Sequence, residues 1–213
     1  MSGSITGLYA ITANADERVC ANVEAVLQGG ARIIQYRDKL HTRYQKLKIA
    51  ADLKSLCDQY NALFIINDDI QLVLEVDANG VHIGKKDAQI ATARKLLGSK
   101  ILGVSCYNEI ERAVEAQRLG ADYVAFGRFY PSATKPEAVQ APLGLLTAAR
   151  ARLHIPIVAI GGITLANASN LIHSGADAVA VINGLFAQKD LKMIAQQFAE
   201  LFNDNPLKET AEG

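Results

Sequence analysis

The sequence predicts a single (β/α)8 TIM barrel, an α/β fold, from two observations. Eight short apolar runs alternate with stretches of helical periodicity, which is the pattern of parallel strands joined by crossover helices. Gly-Ala pairs at 30–31, 120–121 and 175–176 each stand between a helical stretch and an apolar run, where glycine can end the helix. Because little linker sequence separates the units, we expect one domain over residues 1–213 with a frayed tail at 203–213. An open, doubly wound sheet is the alternative fold.

The apolar runs and the periodic segments place the elements in order. We expect the eight strands at residues 8–12, 33–37, 63–67, 80–83, 101–105, 123–126, 157–160 and 179–182. The clearest amphipathic helices are expected at residues 16–28, 44–60, 109–119 and 143–153. The third crossover, residues 68–77, leaves room for a short helix only.

Composition excludes several classes of protein. The 213 residues are 50% apolar and 21% charged, which is enough to form a packed core and argues against intrinsic disorder. The 22 basic and 22 acidic side chains cancel, so no overall field favours nucleic acid or a membrane as partner. Cys20, Cys57 and Cys106 are odd in number and widely spaced, as expected of reduced thiols, and no secretory signal is visible. We therefore expect a cytoplasmic protein, with a homo-oligomer left open.

Polar residues close the second predicted strand, where barrel enzymes place their chemistry. The two-residue alternation puts Gln35 and Arg37 on one face with Ile33, and Asp38 and Lys39 follow. Arg37 as a fork and Lys39 as a point charge could hold a phosphate together. The alternative is that both are solvated loop charges.

Acidic residues follow the third and fourth predicted strands. Asn67 and Asp68 close one run, and Asp87 comes just after the next. Neighbouring strands lie about 5 Å apart, so the two carboxylates could face one ion, and Mg²⁺ is usually held by few carboxylates together with substrate phosphate oxygens. The alternative is that Asp68 and Asp87 each cap the helix that follows.

The fourth and fifth runs carry a histidine and a hydroxyl. Ser105 ends the fifth run on the inner face, where its hydroxyl could orient a polar ring, and Cys106 is expected to face away. His82 has no carboxylate partner in the sequence pattern, and we expect it to be a structural residue with satisfied hydrogen bonds.

The later strand ends carry signals for phosphate. The connection at 127–136 is long and offers hydroxyls and Lys135, as a loop that closes over an anionic substrate would, although a floppy basic loop is the alternative. The seventh and eighth strands run into Gly161-Gly162 and Ile182-Asn183. Backbone amides after these two strands commonly form a phosphate site in barrels.

Seven sequence words, in this order, resemble the thiamine phosphate synthase family from about Gly7 to Phe186. They are LYAIT at 8–12, QYRDK at 35–39, IND at 66–68, GVHIG at 80–84 with Asp87, GVS at 103–105, TK at 134–135 and AIGGIT at 159–164. The resemblance implies a barrel transferase of thiamine biosynthesis. Such an enzyme joins 4-amino-2-methyl-5-(diphosphooxymethyl)pyrimidine to a thiazole phosphate and releases diphosphate, and a pyrimidine cation formed by dissociation fits that chemistry.

The resemblance also implies roles for individual residues. The pyrimidine diphosphate would contact Gln35, Tyr36, Arg37, Asp38, Lys39, Asn67, Ser105 and Lys135, of which Arg37, Lys39, Ser105 and Lys135 would be catalytic. The thiazole phosphate would contact Ser132, Ala133, Thr134, Gly162, Ile182 and Asn183. Asp68 and Asp87 would bind Mg²⁺. Ser132 stands where the family usually has threonine and Asn183 where it usually has serine, and both side chains can still donate to phosphate.

Three other functions fit parts of the pattern. A thiazole tautomerase resembles this chain but would not need both aspartates or a diphosphate site. A sugar-phosphate isomerase or epimerase would share only the glycine-rich phosphate site. A phosphate-ligand sensor on a barrel scaffold would catalyse nothing.

Overall fold

Eight parallel strands close into a barrel in the order in which they occur along the chain. The computed structural model describes residues 4–13, 16–84, 88–131 and 139–203. The strands are β1 (Gly7–Ile11), β2 (Ile33–Tyr36), β3 (Leu63–Asn67), β4 (Gly80–Ile83), β5 (Ile101–Tyr107), β6 (Tyr123–Phe126), β7 (Ile157–Ile160) and β8 (Ala178–Val181). The predicted (β/α)8 barrel is confirmed, and the open sheet is excluded because β8 pairs with β1.

Helices follow the strands and cover the outside of the barrel. They are α1 (Val19–Gln28), α2 (Arg43–Gln59), α3 (Ile70–Glu75), α4 (Ala88–Leu97), α5 (Ile110–Arg118), α6 (Gly144–Arg150), α7 (Leu165–His173), α8 (Asn183–Phe186) and α9 (Leu191–Glu200). The third crossover is short as predicted, since α3 has six residues. Across the described segments, no helix has the length and apolar character needed to cross a bilayer.

The core has two layers because each strand is buried on both faces. Tyr9, Ile33, Ile65 and Tyr123 point into the barrel and pack together there. The alternate positions, such as Ile34, pack outward against the helices in a larger cluster. Cys106 belongs to that outer cluster, which confirms that it faces away from the barrel interior. Burial of each large apolar side chain contributes roughly 1.5–3 kcal/mol, so both layers stabilise the barrel.

Several strand ends differ from the predicted ones at the mouth of the barrel. Arg37 lies beyond β2 because its backbone N–H and C=O bond to the hydroxyl of Thr12, at 3.0 and 3.2 Å, instead of to a neighbouring strand. β5 continues to Tyr107 and has a register shift between Ser105 and Tyr107. Such an irregularity changes the direction in which side chains leave a strand. These differences between the predicted and the observed strand ends therefore lie at the mouth of the barrel, where the site is formed.

Candidate active site

A cavity of about 350 Å³ opens at the carboxyl ends of the strands. Its wall includes residues from opposite sides of the barrel, as expected for a barrel enzyme. The predicted site residues that line it are Gln35, Arg37, Asn67, Ser105, Gly162, Ile182 and Asn183. The structure therefore brings together side chains predicted for a pyrimidine diphosphate and residues predicted for a thiazole phosphate.

A chain of hydrogen bonds runs along the floor of the cavity. Gln35 Nε2 donates to the hydroxyl of Tyr9 at 2.8 Å, and that hydroxyl lies 2.7 Å from the hydroxyl of Tyr123. Tyr123 in turn contacts His82 Nδ1 at 3.0 Å, and His82 Nε2 contacts Ser105 Oγ at 2.8 Å. His82 is bonded on both ring nitrogens, as the sequence predicted, and it also forms part of the cavity wall.

Both phenols of this chain remain protonated at neutral pH. Burial raises the pKa of Tyr9 against the smaller opposing effects of its bonds to Tyr123 and Gln35. Burial raises the pKa of Tyr123 as well, and the neighbouring Tyr9 adds to this effect through its hydrogen bond and through the negative charge that it would have if ionised. Each hydroxyl therefore has one proton to donate and can accept another bond.

Arg37 is held at the rim of the cavity by the chain segment after β1. Besides the two backbone bonds to Thr12, its Nη1 donates to the carbonyl of Ala13 at 3.4 Å. Thr12 is itself 2% exposed, and its N–H donates to the carbonyl of Gln35. Thr12 thus fixes the backbone on both sides of Tyr36, which aims Gln35 and Arg37 together.

The electrostatics of the cavity favour an anion. Arg37 and Arg128 both line it, and no carboxylate is found among the described residues of its wall. Arg128 lies against the turn after β7, because a side chain at Gly161 would meet Arg128 Cβ at 2.3 Å. Two guanidinium groups at different parts of one wall suit a ligand or ligand pair with two anionic groups.

The turn after β7 requires glycine at position 162. Gly162 has φ of +65°, and a Cβ there would lie 2.3 Å from the carbonyl oxygen of Pro131. Asn167 in α7 braces the turn, since its Nδ2 donates to the Gly162 carbonyl at 3.1 Å and its Oδ1 accepts from the Thr164 N–H at 2.9 Å. The backbone of this turn is thereby exposed to the cavity in one fixed conformation.

A second, more open hollow adjoins the cavity, and Asn67 lines both. The hollow combines two cations with three carboxylates and is lined by Asp38, Lys39, Lys46, Asn67, Asp68, Asp69 and Ile70. Lys39 therefore lies in the hollow and not in the cavity. The tyrosine next to Arg37, Tyr36, lies outside both, with its ring in the outer core and its hydroxyl donating to Asp38 Oδ2 at 2.9 Å.

Two of the three carboxylates in the hollow are already occupied. Burial is the largest single influence on Asp38 and opposes its ionisation. The N–H groups of Leu40 and His41, the Tyr36 hydroxyl and the His41 ring nevertheless lower its pKa together. Asp69 caps α3 by accepting from the Leu72 N–H at 2.9 Å, and it pairs with Arg43 at 2.6 Å.

Asp68 is the carboxylate of the hollow that suits a metal ion. It is exposed, its Oδ2 accepts from Asn67 Nδ2 at 2.8 Å, and no basic side chain of the described residues forms an ion pair with it. The alternative reading of Asp68 as a helix cap is wrong, because Asp69 occupies that position. Hard oxygen donors are the ligands that Mg²⁺ takes, so Asp68 fits as one of them. Within the described residues, no group of three or more His, Cys, Asp or Glu is placed to hold a metal.

Some predicted site residues lie outside the described part of the chain. They are Asp87, Ser132, Ala133, Thr134 and Lys135. Their roles remain predictions from the sequence.

The structure adds residues that the sequence motifs did not single out for the site. Tyr9, Thr12, Tyr123 and Arg128 all contact the site or its predicted residues. Tyr9 and Thr12 belong to the first sequence word of the family resemblance, which was a signal that their position mattered. Tyr123 is the first residue of the short apolar strand β6, and the local pattern carries no sign of its partners.

The fold and the cavity together define a TIM barrel with a cationic cavity at the carboxyl ends of its strands. Comparison with known proteins gives the family: the family model described as thiamine monophosphate synthase matches residues 8–185, and the chain belongs to that family. It therefore functions as a thiamine-phosphate synthase, a transferase of thiamine biosynthesis.

Individual relatives agree over nearly the whole chain. A thiamine-phosphate synthase from Nitrosococcus oceani is 52% identical over 209 residues, covering 95% of both chains. One from Nitrosomonas eutropha is 50% identical over 201 residues, covering 93% of this chain and 95% of its own. The solved structure of thiamine phosphate pyrophosphorylase from Pyrococcus furiosus superposes with a TM-score of 0.86 at 32% identity, covering 94% of this chain and 97% of that one.

Proposed function

We propose that this enzyme joins 4-amino-2-methyl-5-(diphosphooxymethyl)pyrimidine to a thiazole phosphate or its carboxylated form, with Mg²⁺ as cofactor. One observation carries the proposal. The cavity joins two regions. At Asn67 it adjoins the hollow that contains two cations and the carboxylate of Asp68, and elsewhere it is lined by the glycine turn after β7. Two phosphate-bearing substrates of opposite reactivity therefore have separate anion-binding sites and a shared space in which to meet.

The pyrimidine ring is assigned to the floor of the cavity. Gln35 and Ser105 end the hydrogen-bond chain, and Asn67 lies at the junction with the hollow. These three side chains supply amide and hydroxyl groups, which match an amino group and ring nitrogens. The diphosphate on the ring then extends past Asn67 into the hollow.

The diphosphate is assigned to Arg37, Lys39 and the metal ion. Arg37 stands at the rim of the cavity, and Lys39 lies in the hollow beside Asp68. Asp68 is proposed to hold Mg²⁺ together with Asp87 from the segment after β4. When bound, Mg²⁺ supplies positive charge that stabilises the departing diphosphate. Lys135 is assigned to the same leaving group on the family resemblance.

The thiazole phosphate is assigned to the opposite wall. The backbone around Gly162, Ile182 and Asn183 lines the cavity there, and Arg128 lies beside the same turn. Backbone N–H groups after β7 and β8 are the usual phosphate donors of barrels. Residues 132–134 would complete this site.

The residues then support a dissociative reaction. The bond between the pyrimidine methylene carbon and the diphosphate oxygen breaks, and its electron pair leaves with the diphosphate. Arg37 and Lys39 stabilise the negative charge that develops there. The lone pair of the thiazole nitrogen then forms the new carbon–nitrogen bond, so no side chain has to act as nucleophile. With the carboxylated thiazole, the carboxylate leaves as CO₂ and a proton from water takes its place on the ring carbon. The contribution of the protein is orientation of two substrates and stabilisation of charge.

A pair of matched substitutions tests the metal assignment. Asp68 and Asp77 both have left-handed backbones, with φ of +62° and +52°, and asparagine tolerates that conformation at both. Asp68→Asn removes a proposed ligand, whereas Asp77→Asn changes a surface residue paired with Lys100. Loss of an outer-shell partner alone costs about 10–100-fold, so loss of a direct ligand should cost at least as much.

The measurement is release of diphosphate and formation of thiamine phosphate over a range of Mg²⁺ concentrations. We expect Asp68→Asn to need far more Mg²⁺ and to turn over at least about tenfold more slowly. Asp77→Asn should match the unsubstituted enzyme. If Asp68→Asn has near-normal turnover and a near-normal dependence on Mg²⁺, the assignment of the metal ion to this hollow is wrong.

A further inference from the structure

The five side chains on the floor of the cavity form one continuous hydrogen-bonded path across the barrel. In order they are Gln35, Tyr9, Tyr123, His82 and Ser105, from β2, β1, β6, β4 and β5. The inner members have little contact with water, since Tyr9 is 1% and Tyr123 is 0% exposed. In such a place a donor without an acceptor is costly, so each proton has to be accounted for.

The first bond indicates the direction in which the path runs without a break. Gln35 Nε2 donates to the Tyr9 oxygen, and either phenol can be the donor between Tyr9 and Tyr123. In the direction that continues from Gln35, Tyr9 donates to the Tyr123 oxygen. The proton of Tyr123 then has His82 Nδ1 as its acceptor. In that direction a protonated Nδ1 would compete with the Tyr123 proton. Both tyrosines keep their protons at neutral pH, as described above, so each phenol is a donor as well as an acceptor in the path.

The far end of the path is thereby determined as well. Neutral His82 with an unprotonated Nδ1 has its proton on Nε2, and this N–H donates to Ser105 Oγ. The proton of Ser105 is then available to the cavity, which Ser105 lines. At the opposite end Gln35 uses its Nε2 inside the path, so its carbonyl oxygen is the atom available to the cavity.

We propose that Tyr9 and Tyr123 are positioning residues that give this path one direction, so that Gln35 presents an acceptor and Ser105 a donor to the substrate. This rests on the proposed use of Gln35 and Ser105 in binding the aminopyrimidine ring. An amino group requires an acceptor and a ring nitrogen requires a donor, which are the two functions that the path supplies. Specificity for that ring thus depends on two tyrosines that act through other side chains.

The first test measures the unsubstituted protein, and His82→Gln serves only to assign the signals. Two-dimensional ¹⁵N NMR distinguishes a protonated from an unprotonated histidine nitrogen, and the signals of His82 among the four histidines are those missing from His82→Gln. We expect neutral His82 with the proton on Nε2 alone. A proton on Nδ1, on both nitrogens, or exchange between the two forms would overturn the proposal.

Two substitutions separate the tyrosines. Tyr123→Phe removes the donor to Nδ1, so we expect His82 to become a mixture of tautomers. Tyr9→Phe leaves the bond between Tyr123 and His82 in place, so its His82 spectrum should keep the Nε2 proton. Tyr60→Phe is the control, because it removes a hydroxyl that bonds to Glu24 at the surface. Unchanged His82 signals in Tyr123→Phe would contradict the direction of the path.

Kinetics then test whether the direction matters for substrate. Loss of one well-oriented hydrogen bond should raise KM for the pyrimidine diphosphate about tenfold in Tyr9→Phe and in Tyr123→Phe. KM for the thiazole phosphate should change less than about twofold. If Tyr9 acts through Gln35, Tyr9→Phe should have no added effect in a Gln35→Ala background. Equal losses for both substrates, or full additivity with Gln35→Ala, would reduce the tyrosines to a structural role.

The two proposals fail in different ways. If Gln35→Ala leaves KM for the pyrimidine diphosphate unchanged, the ring site proposed above is wrong even where the NMR result holds. If His82 has the other tautomer while Gln35→Ala does raise that KM, the ring site stands and the direction of the path is wrong.

Discussion

Replacing Gly103 by alanine would place a methyl group inside the volume of the Tyr123 ring. Gly103 in β5 is the register partner of Tyr123 in β6. A Cβ at Gly103 would lie 2.1 Å from Tyr123 Cζ and 2.3 Å from its hydroxyl oxygen. Carbon atoms pack at about 3.5–4.0 Å, so the ring would have to retreat by about 1.4 Å. The absence of a side chain at position 103 is therefore what admits the tyrosine to the floor of the cavity.

The cost of Gly103→Ala has two parts. Overpacking a filled core costs about 1–3 kcal/mol. Displacing the ring also weakens the bonds of its hydroxyl to Tyr9 and His82, each worth roughly 0.5–1.5 kcal/mol. We therefore expect the free energy of unfolding to fall by about 2–6 kcal/mol. For a domain of this size the melting temperature should fall by about 5–20 °C.

Urea and thermal unfolding measure this effect, and Gly144→Ala is the matched control. A Cβ at Gly144, the first residue of α6, would have no neighbour within 4 Å. That substitution should leave stability unchanged or raise it by up to about 1 kcal/mol, because alanine favours the helix. A loss below about 1 kcal/mol in Gly103→Ala would refute the reasoning. Tyr123→Leu makes room for the methyl group, so Gly103→Ala should cost less stability in that background than alone. An equal loss of stability in the two backgrounds would also refute the reasoning.

Two further predictions concern the rim of the site. The pKa of Asp38 is lowered in the folded protein, so Asp38 stabilises the fold above its unfolded pKa of about 3.9, and this contribution is lost as pH falls below that value. The free energy of unfolding of wild type, followed in urea from pH 6 to pH 3, should therefore approach that of Asp38→Asn at the acid end, and a constant difference would contradict the assignment. Gly162→Ala should raise KM for the thiazole phosphate at least about tenfold, because a side chain there collides with the Pro131 carbonyl and disturbs the turn. Steady-state kinetics with each substrate varied in turn would count against that role if the pyrimidine diphosphate were affected equally.

The acidic residues after β3 show how far local pattern can lead. The sequence placed Asp68 directly after a strand, where either a metal ligand or a helix cap is expected. The structure gives the helix cap to Asp69, which bonds to the start of α3 and also pairs with Arg43 from α2. Arg43 lies 26 residues away in the chain, so no local pattern could have revealed that ion pair.

The sequence by itself determined the barrel, its eight strands and several of the residues at its mouth. These features follow from hydrophobic periodicity and from the position of polar residues at strand ends, both of which are local properties of the chain. Only the tertiary structure decided which side chains meet inside the barrel. Tyr9 and Tyr123 are 114 residues apart, and their hydroxyls come within 2.7 Å only because closure of the sheet turns β1 and β6 toward a common interior. The space for that contact depends on a glycine in a third strand, β5, and such packing is a property of the closed barrel.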